Sequence, residues 1–297
     1  MTFLTIFSAP KPFTNPHINI IQRNAIQSWQ QLSSDVDVIL VGEEPGLAEA
    51  AETFGVRYFP NVERNEWGTP LVSSIFKLAR DASDSPYLAY VNADILLFQD
   101  FVKVTHQVAA QTERFLAVGQ RWDLDITQPI IFEGNWDSRL KEQTLTQGEL
   151  HRPAGSDYFI YPRSLFVDMP DFAIGRAGWD NWMIYKALRN HWQVIDATSS
   201  LMIVHQNHDY SHLPGGVPHY DLEETRINAA LGGGQANMFM TLDTNYELVN
   251  GKVRRSRWSR DRLLRRLERW FRPADDDDRS VRYKIARIFR RLRRGLV

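Results

Sequence analysis

Apolar positions along the first hundred residues recur with two periods, two and near 3.6, and the switches between them predict the elements. The run TFLTIF (2–7) reads as a buried first strand, closed by the turn-forming Ser8-Ala-Pro-Lys-Pro12. Ile18, Ile21, Ala25, Trp29 and Leu32 then fall on one helical face. VDVILV (36–41) predicts a second strand, closed by GEEPG (42–46). A short helix over 47–54, a third strand at 56–59, a helix over 71–82 and a strand from Tyr87 come next. Strands alternating with helices predict an α/β layer structure around a largely parallel sheet. In such sheets ligands gather at the carboxyl ends of the strands, which here are SAPKP, GEEPG and NADI, all polar or turn-forming.

One strand carries an oddity. AYVNADILLF (89–98) sets Asn92 and Asp94 inside an otherwise apolar run. A carboxylate withdrawn from water is costly without a partner, a donor or a metal. Either the strand ends in a turn with Asp94 capping the next element, or Asp94 marks a metal-binding strand end. Beyond Phe115 the pattern loosens. Strands are predicted at 115–119, 157–161 and 193–196, with a helix over 179–190 and the apolar run 201–204 before a histidine-rich loop. Trp122, Trp136, Trp179 and Trp182 are candidates for stacking on sugar rings or, equally, for core packing.

Two helical stretches close the chain, separated by PADDDD (273–278). In the second, Val281, Ile285, Ile288, Phe289, Leu292 and Leu296 form an apolar stripe among arginines. A helix of that kind suits an anionic membrane surface, packing back on the body or binding a partner. The expected division is therefore a body over 1–250, with a nucleotide-binding part to about 114 and an acceptor-side part over 115–250, and a basic helical tail over 251–297.

Charge sharpens that division. The net charge of −1 combines a tail from Lys252 holding 18 basic and 6 acidic residues with a body holding 35 − 18 = 17 basic and 36 − 6 = 30 acidic ones. An acidic body with no nucleic-acid module argues against nucleic acid as a partner. With no cysteine, disulfides, thiolate metal sites and a cysteine nucleophile are excluded. TFLTIF is too short for a secretory signal, and no apolar run reaches the ~18 residues of a membrane span. The expected location is cytoplasmic, with peripheral contact to the cytoplasmic face of a membrane through the tail.

Four features that could carry chemistry occur in order. Asn92-Ala-Asp94 places a carboxylate where it could hold Mg²⁺ or Mn²⁺ against a diphosphate. AGSDYF (154–159) is a small-residue turn that lets backbone approach a ligand. GWDNW (178–182) opens a helix, with Asp180 in its first turn, near the positive end of the helix dipole that favours the ionised form. HQNH (205–208) comes directly after an apolar strand, and His205, His208, His212 and His219 hold half of the eight histidines within about fifteen positions. Each has a plain counterpart as well: a turn, a glycine bend, an N-cap or structural histidines.

Together, NAD at 92–94, AGSD at 154–157, GWD at 178–180 and His205 resemble the ordered motifs of nucleotide-sugar-dependent glycosyltransferases of the GT-A fold. The resemblance covers roughly residues 1–220. It implies a Rossmann-like mixed sheet flanked by helices, a D-x-D metal motif, a glycine loop, an acidic residue opening a helix, and a C-terminal metal-binding histidine. On that resemblance Asp180 is the expected base, while Asp94 and His205 would hold the metal. Ser8, Ala9, Pro10, Glu43, Asn65, Gly68, Asn92, Asp94, Gly155 and Ser156 would contact the nucleotide sugar. A glycan or lipid-linked acceptor would receive the sugar with inversion, and the loop from Asn207 to Tyr220 would close over the donor. One departure stands out: the first carboxylate of D-x-D is Asn92 here. The rival readings are a metal-dependent hydrolase built on the histidines and a non-catalytic nucleotide- or sugar-binding protein of the same fold.

Overall fold

The computed structural model describes residues 2–208, 222–273, 277 and 279–295. Its first half obeys the periodicity closely. The elements are β1 (Leu4–Ser8), α1 (Pro16–Gln30), β2 (Val36–Val41), α2 (Leu47–Phe54), β3 (Arg57–Phe59), α3 (Val72–Ala82) and β4 (Tyr87–Val91). Helix α1 starts cleanly because the Asn15 side chain accepts from the backbone N–H groups of His17 and Ile18, with Pro16 at the first turn.

The apolar run 89–98 is not one strand. β4 stops at Val91, Asn92-Ala-Asp94 turns the chain, and β5 (Ile95–Leu97) starts in a different sheet. The turn is closed by the Ile95 N–H donating to the Asn92 carbonyl at 3.1 Å. The second half adds α4 (Asp100–Ala109), β6 (Phe115–Val118), β7 (Trp122–Leu124), α5 (Trp136–Gln147), β8 (Glu149–Leu150) and β9 (Tyr158–Pro162). Next come α6 (Trp179–Arg189), β10 (Gln193–Asp196), β11 (Ile203–Gln206), α7 (Glu223–Leu231), β12 (Tyr246–Val249) and β13 (Lys252–Arg255). Helices α8 (Arg260–Phe271) and α9 (Val281–Arg293) lie last in the chain.

The main sheet has nine strands in the order β13-β12-β10-β6-β9-β4-β1-β2-β3. All run one way except β9, wedged antiparallel between β4 and β6, and the edge strand β13. The expected Rossmann-like mixed sheet flanked by helices is thus present. One apolar layer, with Trp29, Leu40, Val91 and Phe101, covers one face, and another, with Phe76, Tyr90, Phe159 and Trp179, covers the other. Trp179 and Trp182 are buried there, so packing and not sugar stacking occupies them. Trp122 and Trp136 sit at the rim of a third apolar group with Leu96, Phe98 and Val204.

A smaller sheet, ordered β5-β11-β7-β8, lies beside the main one. Its register sets His205 of β11 between Ile95 of β5 and Asp123 of β7. At the far edge, β12 and β13 form a hairpin over Asn250-Gly251, both at positive φ, a pair that suits a two-residue turn matching strand twist. The boundary expected at residue 251 therefore falls inside a hairpin, and the main sheet draws strands from both sides of residue 114.

Candidate active site

Because β1, β2 and β4 are parallel neighbours, Ser8, Val41 and Val91 end at the same edge of the sheet. The turn before antiparallel β9 reaches that edge too, since Val91 pairs with Tyr158. So does the start of α6, because α6 runs down into β10. Topology therefore brings Ser8-Ala9-Pro10, Gly42-Glu43, Asn92-Ala-Asp94, the 154–157 turn and Asp180 to one rim, where α/β sheets bind ligands.

Asp94 is the centre of this rim and only 7% exposed. Its backbone is pinned by Gln206, whose N–H and side-chain amide both donate to the Asp94 carbonyl at 3.2 Å. That amide is itself held, donating to the Ile21 carbonyl at 2.7 Å and accepting from Asn24 at 3.0 Å. The Asp94 Oδ2 lies 3.1 Å from His208 Nε2 and 3.5 Å from Lys11 Nζ, with Lys11 Nζ 3.0 Å from His208 Nε2. Oδ1 is buried and has no hydrogen-bond partner. Burial pushes this carboxyl up, but Lys11 and the two imidazoles outweigh it and hold it well below the ordinary range.

Asp94, His205 and His208 place one ligand atom each within 4.8 Å of one another, the single such group among the described residues. The residues fit a divalent cation on two counts. An orphaned buried carboxylate oxygen calls for a partner, and a mixed carboxylate and imidazole set suits Mn²⁺ better than Mg²⁺. Behind His205, Asp123 Oδ1 lies 3.2 Å from Nδ1, close but not aligned as a hydrogen bond. Asp123 also binds His151 Nδ1 at 2.7 Å and Arg121 Nε at 2.8 Å. Burial raises the Asp123 carboxyl, yet His205, Arg121 and His151 carry it far below its usual range. A carboxylate behind a ligating imidazole is the usual means of fixing the ring.

The asparagine in the D-x-D position has a local explanation. Asn92 Nδ2 donates to Asp157 Oδ1 at 2.8 Å, and Arg121 donates to the same oxygen at 2.9 Å. A carboxylate at position 92 would face Asp157 directly; the amide supplies a donor instead.

Asp180 is partly buried in the first turn of α6. Its Oδ1 accepts from the Gly178 N–H at 3.3 Å. Burial raises its carboxyl to about 6; nearby backbone N–H groups pull down and the Asp157 charge pushes up. The lowering expected from the helix dipole is thus outweighed by desolvation. Gly155 lies against this carboxylate, and a Cβ there would overlap Asp180 Oδ2. Ser156 faces away, its Oγ bonding the Gly119 and Tyr158 carbonyls at 3.0 and 2.9 Å.

The remaining expected contacts are spread around the rim. Ser8 is buried with an unpartnered Oγ, Ala9 and Pro10 come directly after it, and Glu43 is exposed. Asn65 organises its own loop, accepting from the Trp67 and Thr69 N–H groups at 3.0 and 2.9 Å and donating to Glu224 at 2.8 Å. Gly68 turns that loop at a φ of 78°. His212, His219 and most of the loop expected to close, from 209 to 220, lie outside the described residues. The residues that sequence reasoning passed over are Lys11, His208 as a metal ligand, Asp123 and Arg121. Lys11 was visible in SAPKP and His208 in the histidine cluster, but the partnership of Asp123 with His205 exists only through strand register.

Neither a protein-family model nor a curated protein sequence matches the chain. Among solved structures it is similar to a mannosyltransferase from Pyrobaculum calidifontis in complex with GDP-Man and Mn²⁺, at 11% identity and a TM-score of 0.45. That match covers 70% of this chain and 58% of the mannosyltransferase, so the chain spans less than two thirds of that protein. It is also similar to glucosyl-3-phosphoglycerate synthase from Mycobacterium tuberculosis in complex with Mn²⁺, UDP and glucosyl-3-phosphoglycerate. There the identity is 13% and the TM-score 0.47, over 80% of this chain and 78% of the synthase.

Proposed function

We propose that this protein is a glycosyltransferase that moves a sugar from a nucleoside-diphosphate sugar to an acceptor hydroxyl, with Mn²⁺ as cofactor. The observation that carries the reading is the rim itself: a carboxylate and imidazole cluster at Asp94, His205 and His208 shares the sheet edge with Asp180, a carboxyl that burial raises to about 6. Transfer needs both, one to receive a diphosphate leaving group and one to take a proton.

Asp94 and His208 would hold the cation with His205, and Asp123 would keep the His205 ring turned to it. When bound, the cation would neutralise charge on the departing diphosphate. Lys11, now beside Asp94 and His208, is placed to turn its ammonium to the same phosphates. Asp180 would accept the acceptor's proton as its oxygen forms a bond to the anomeric carbon. The bond from that carbon to the diphosphate oxygen breaks, and the oxygen keeps the electron pair. A carboxyl near 6 is ionised at neutral pH yet basic enough to share a proton in the transition state. Gly155 supports this role, since only a residue without a side chain leaves the Asp180 carboxylate its present position. A single displacement of this kind inverts the anomeric centre, and the acceptor would be a glycan or a lipid-linked sugar. Ser8, Ala9, Pro10, Glu43, Asn65 and Gly68 form the stretch of rim along which the nucleotide would lie.

A thermal-shift screen of nucleoside-diphosphate sugars with and without Mn²⁺ tests the reading. Ligands that bind only the folded state raise the melting temperature by mass action. At least one nucleotide sugar is expected to stabilise the protein only when Mn²⁺ is present. Stabilisation by none of them, or hydrolysis of phosphate esters in their place, would overturn it.

A further inference from the structure

We propose that the helical hairpin formed by α8 and α9 is a docking surface for anionic lipid headgroups, and that it holds the candidate active site at a membrane. The inner faces of the two helices are spent on the body and on each other. Arg265 and Glu268 are 4% and 1% exposed, and Arg265 Nη2 pairs with Asp243 Oδ2 at 2.9 Å. Glu268 receives Arg290 at 2.7 Å and Arg293 at 3.2 Å. Arg262 reaches Asp196 at 3.2 Å. These pairs fix the orientation of both helices.

The outer face is of another kind. Trp258 and Trp270 are 74% and 75% exposed, and Leu263, Val281 and Ile288 also lie open to solvent. Between them stand cations at helical spacing. Leu263, Arg266 and Trp270 form one exposed stripe of α8, and Val281, Lys284, Ile288 and Arg291 one of α9. The Arg266 guanidinium lies over the Trp258 ring, 5.0 Å from its centroid. Asp261 is the single exposed carboxylate on these two helices. Tryptophan and aliphatic groups interleaved with arginine match the headgroup boundary, which takes an apolar tip and a cation side by side. A nucleic acid, or an acidic peptide without apolar side chains, would use the cations and leave the aliphatic side chains uncovered. No helix among the described residues is long and apolar enough to cross a membrane, so contact of this kind is with the surface.

The hairpin also touches the segment that frames the candidate site. Arg265 donates to the Met238 carbonyl at 2.8 Å, and Arg269 lies over the Phe239 ring. The same segment accepts from Asn181 at the Phe239 carbonyl at 2.6 Å, and its Thr241 N–H donates to the Ala154 carbonyl at 3.0 Å. Asn181 and Ala154 are the neighbours of Asp180 and Gly155. The inner face of the hairpin therefore lies one layer of chain from the proposed base, and a surface held on its outer face lies beyond the hairpin itself. The lipid surface itself does not depend on the glycosyltransferase reading; an acceptor presented from that surface does.

Co-sedimentation of the full chain with lipid vesicles tests the proposal. Vesicles of phosphatidylcholine containing about one third phosphatidylglycerol are expected to bind the protein at low salt, with binding weakening as ionic strength rises. Phosphatidylcholine alone is expected to leave it in the supernatant. Each exposed cation near an anionic surface changes partition by about fivefold, so Lys284→Glu with Arg291→Glu is expected to lose binding by tenfold or more. Trp258→Ala with Trp270→Ala, at two open positions, is expected to weaken it by about tenfold without changing the urea midpoint. Equal binding to both vesicle types, no binding to either, full retention by both variants, or complete displacement of the vesicles by polyglutamate or RNA would overturn the proposal. Failure here would leave donor binding and transfer to a soluble acceptor untouched, so the two readings fall separately.

Discussion

Two clusters of buried charge among the described residues are built to opposite ends. Where the C-terminal hairpin meets the body, Asp243 of the body and Glu268 of α8 are almost wholly enclosed, and four arginines, Arg265, Arg269, Arg290 and Arg293, close on them. At the sheet rim, Asp94 is buried too, but one of its oxygens meets nothing, while the other faces an imidazole and a lysine. Carboxylates whose oxygens all meet arginines fix structure; a buried carboxylate with one oxygen unpartnered has capacity for a further ligand. The lesson is that burial of charge alone does not locate function. What singles out the candidate site is an unpartnered carboxylate oxygen beside two imidazoles.

The comparison can be broken most forcefully on its structural side. Arg265→Ala leaves Asp243 and Glu268 short of a buried partner, and removing one member of such a set costs about 3–5 kcal/mol. Urea unfolding should record a loss of that order, with Mn²⁺ binding unchanged in whatever protein remains folded. Asp123→Asn attacks the other cluster from behind. With the carboxylate gone from His205, Mn²⁺ affinity measured by titration calorimetry is expected to fall by about 10–100-fold, with a loss in the urea midpoint smaller than that of Arg265→Ala because Asp123 is only part-buried.

Asn92→Asp would restore the spelling of D-x-D, and it is expected to harm the protein. It replaces a donated hydrogen bond to Asp157 by a facing pair of carboxylates, at a cost of about 1–3 kcal/mol. The loss should be largest above pH 6 and fade in acid as one carboxyl takes a proton, which a pH series of melting temperatures would record. Higher stability at pH 8 would mean that Asn92 does not owe its place to Asp157. The smallest expected effect belongs to Lys11→Met. Its ammonium occupies the cation's neighbourhood, so its removal should tighten Mn²⁺ binding several-fold, by order of the roughly 1 kcal/mol of a well-screened charge at this range. Nucleotide binding should weaken in the same variant if Lys11 turns to the phosphates.

Much of the molecule was legible in the sequence, and the rest was hidden for physical reasons. The strands β1 to β4 and the helices between them carry long apolar periods, so their order and the rim they share could be read directly. The strand end at Asn92-Ala-Asp94 was readable, but burial is the same on both sides of it, and apolarity does not say that a chain has changed sheets. The second sheet was invisible for the same reason: its strands run two to four residues, too short for a period to show. Helix α5 buries only Leu140 and Thr144 and so has no stripe to detect. The hairpin at Asn250-Gly251 did carry a signal, the Asn-Gly pair, and it was lost against the rise in basic residues beside it. At the site, Asp94 and Asp180 were readable as single residues. The Asp123–His205 and Asn92–Asp157 partnerships were not, because strand pairing makes them across 82 and 65 positions.

The proposed base offers the most direct test. The measurement is the rate of acceptor-dependent nucleoside-diphosphate release, across pH 5–9, in the native protein and in Asp180→Asn, with the nucleotide sugar and Mn²⁺ saturating. The carboxyl near 6 must be ionised to take a proton, so the native rate is expected to rise with pH through that value and level off above it. Asp180→Asn is expected to lose about 10²–10⁴-fold at every pH, keep its Mn²⁺-dependent donor binding, and show no such rise. Turnover within a few-fold of native, or the same acid limb in the variant, would contradict the assignment of this rim as a site of glycosyl transfer by Asp180.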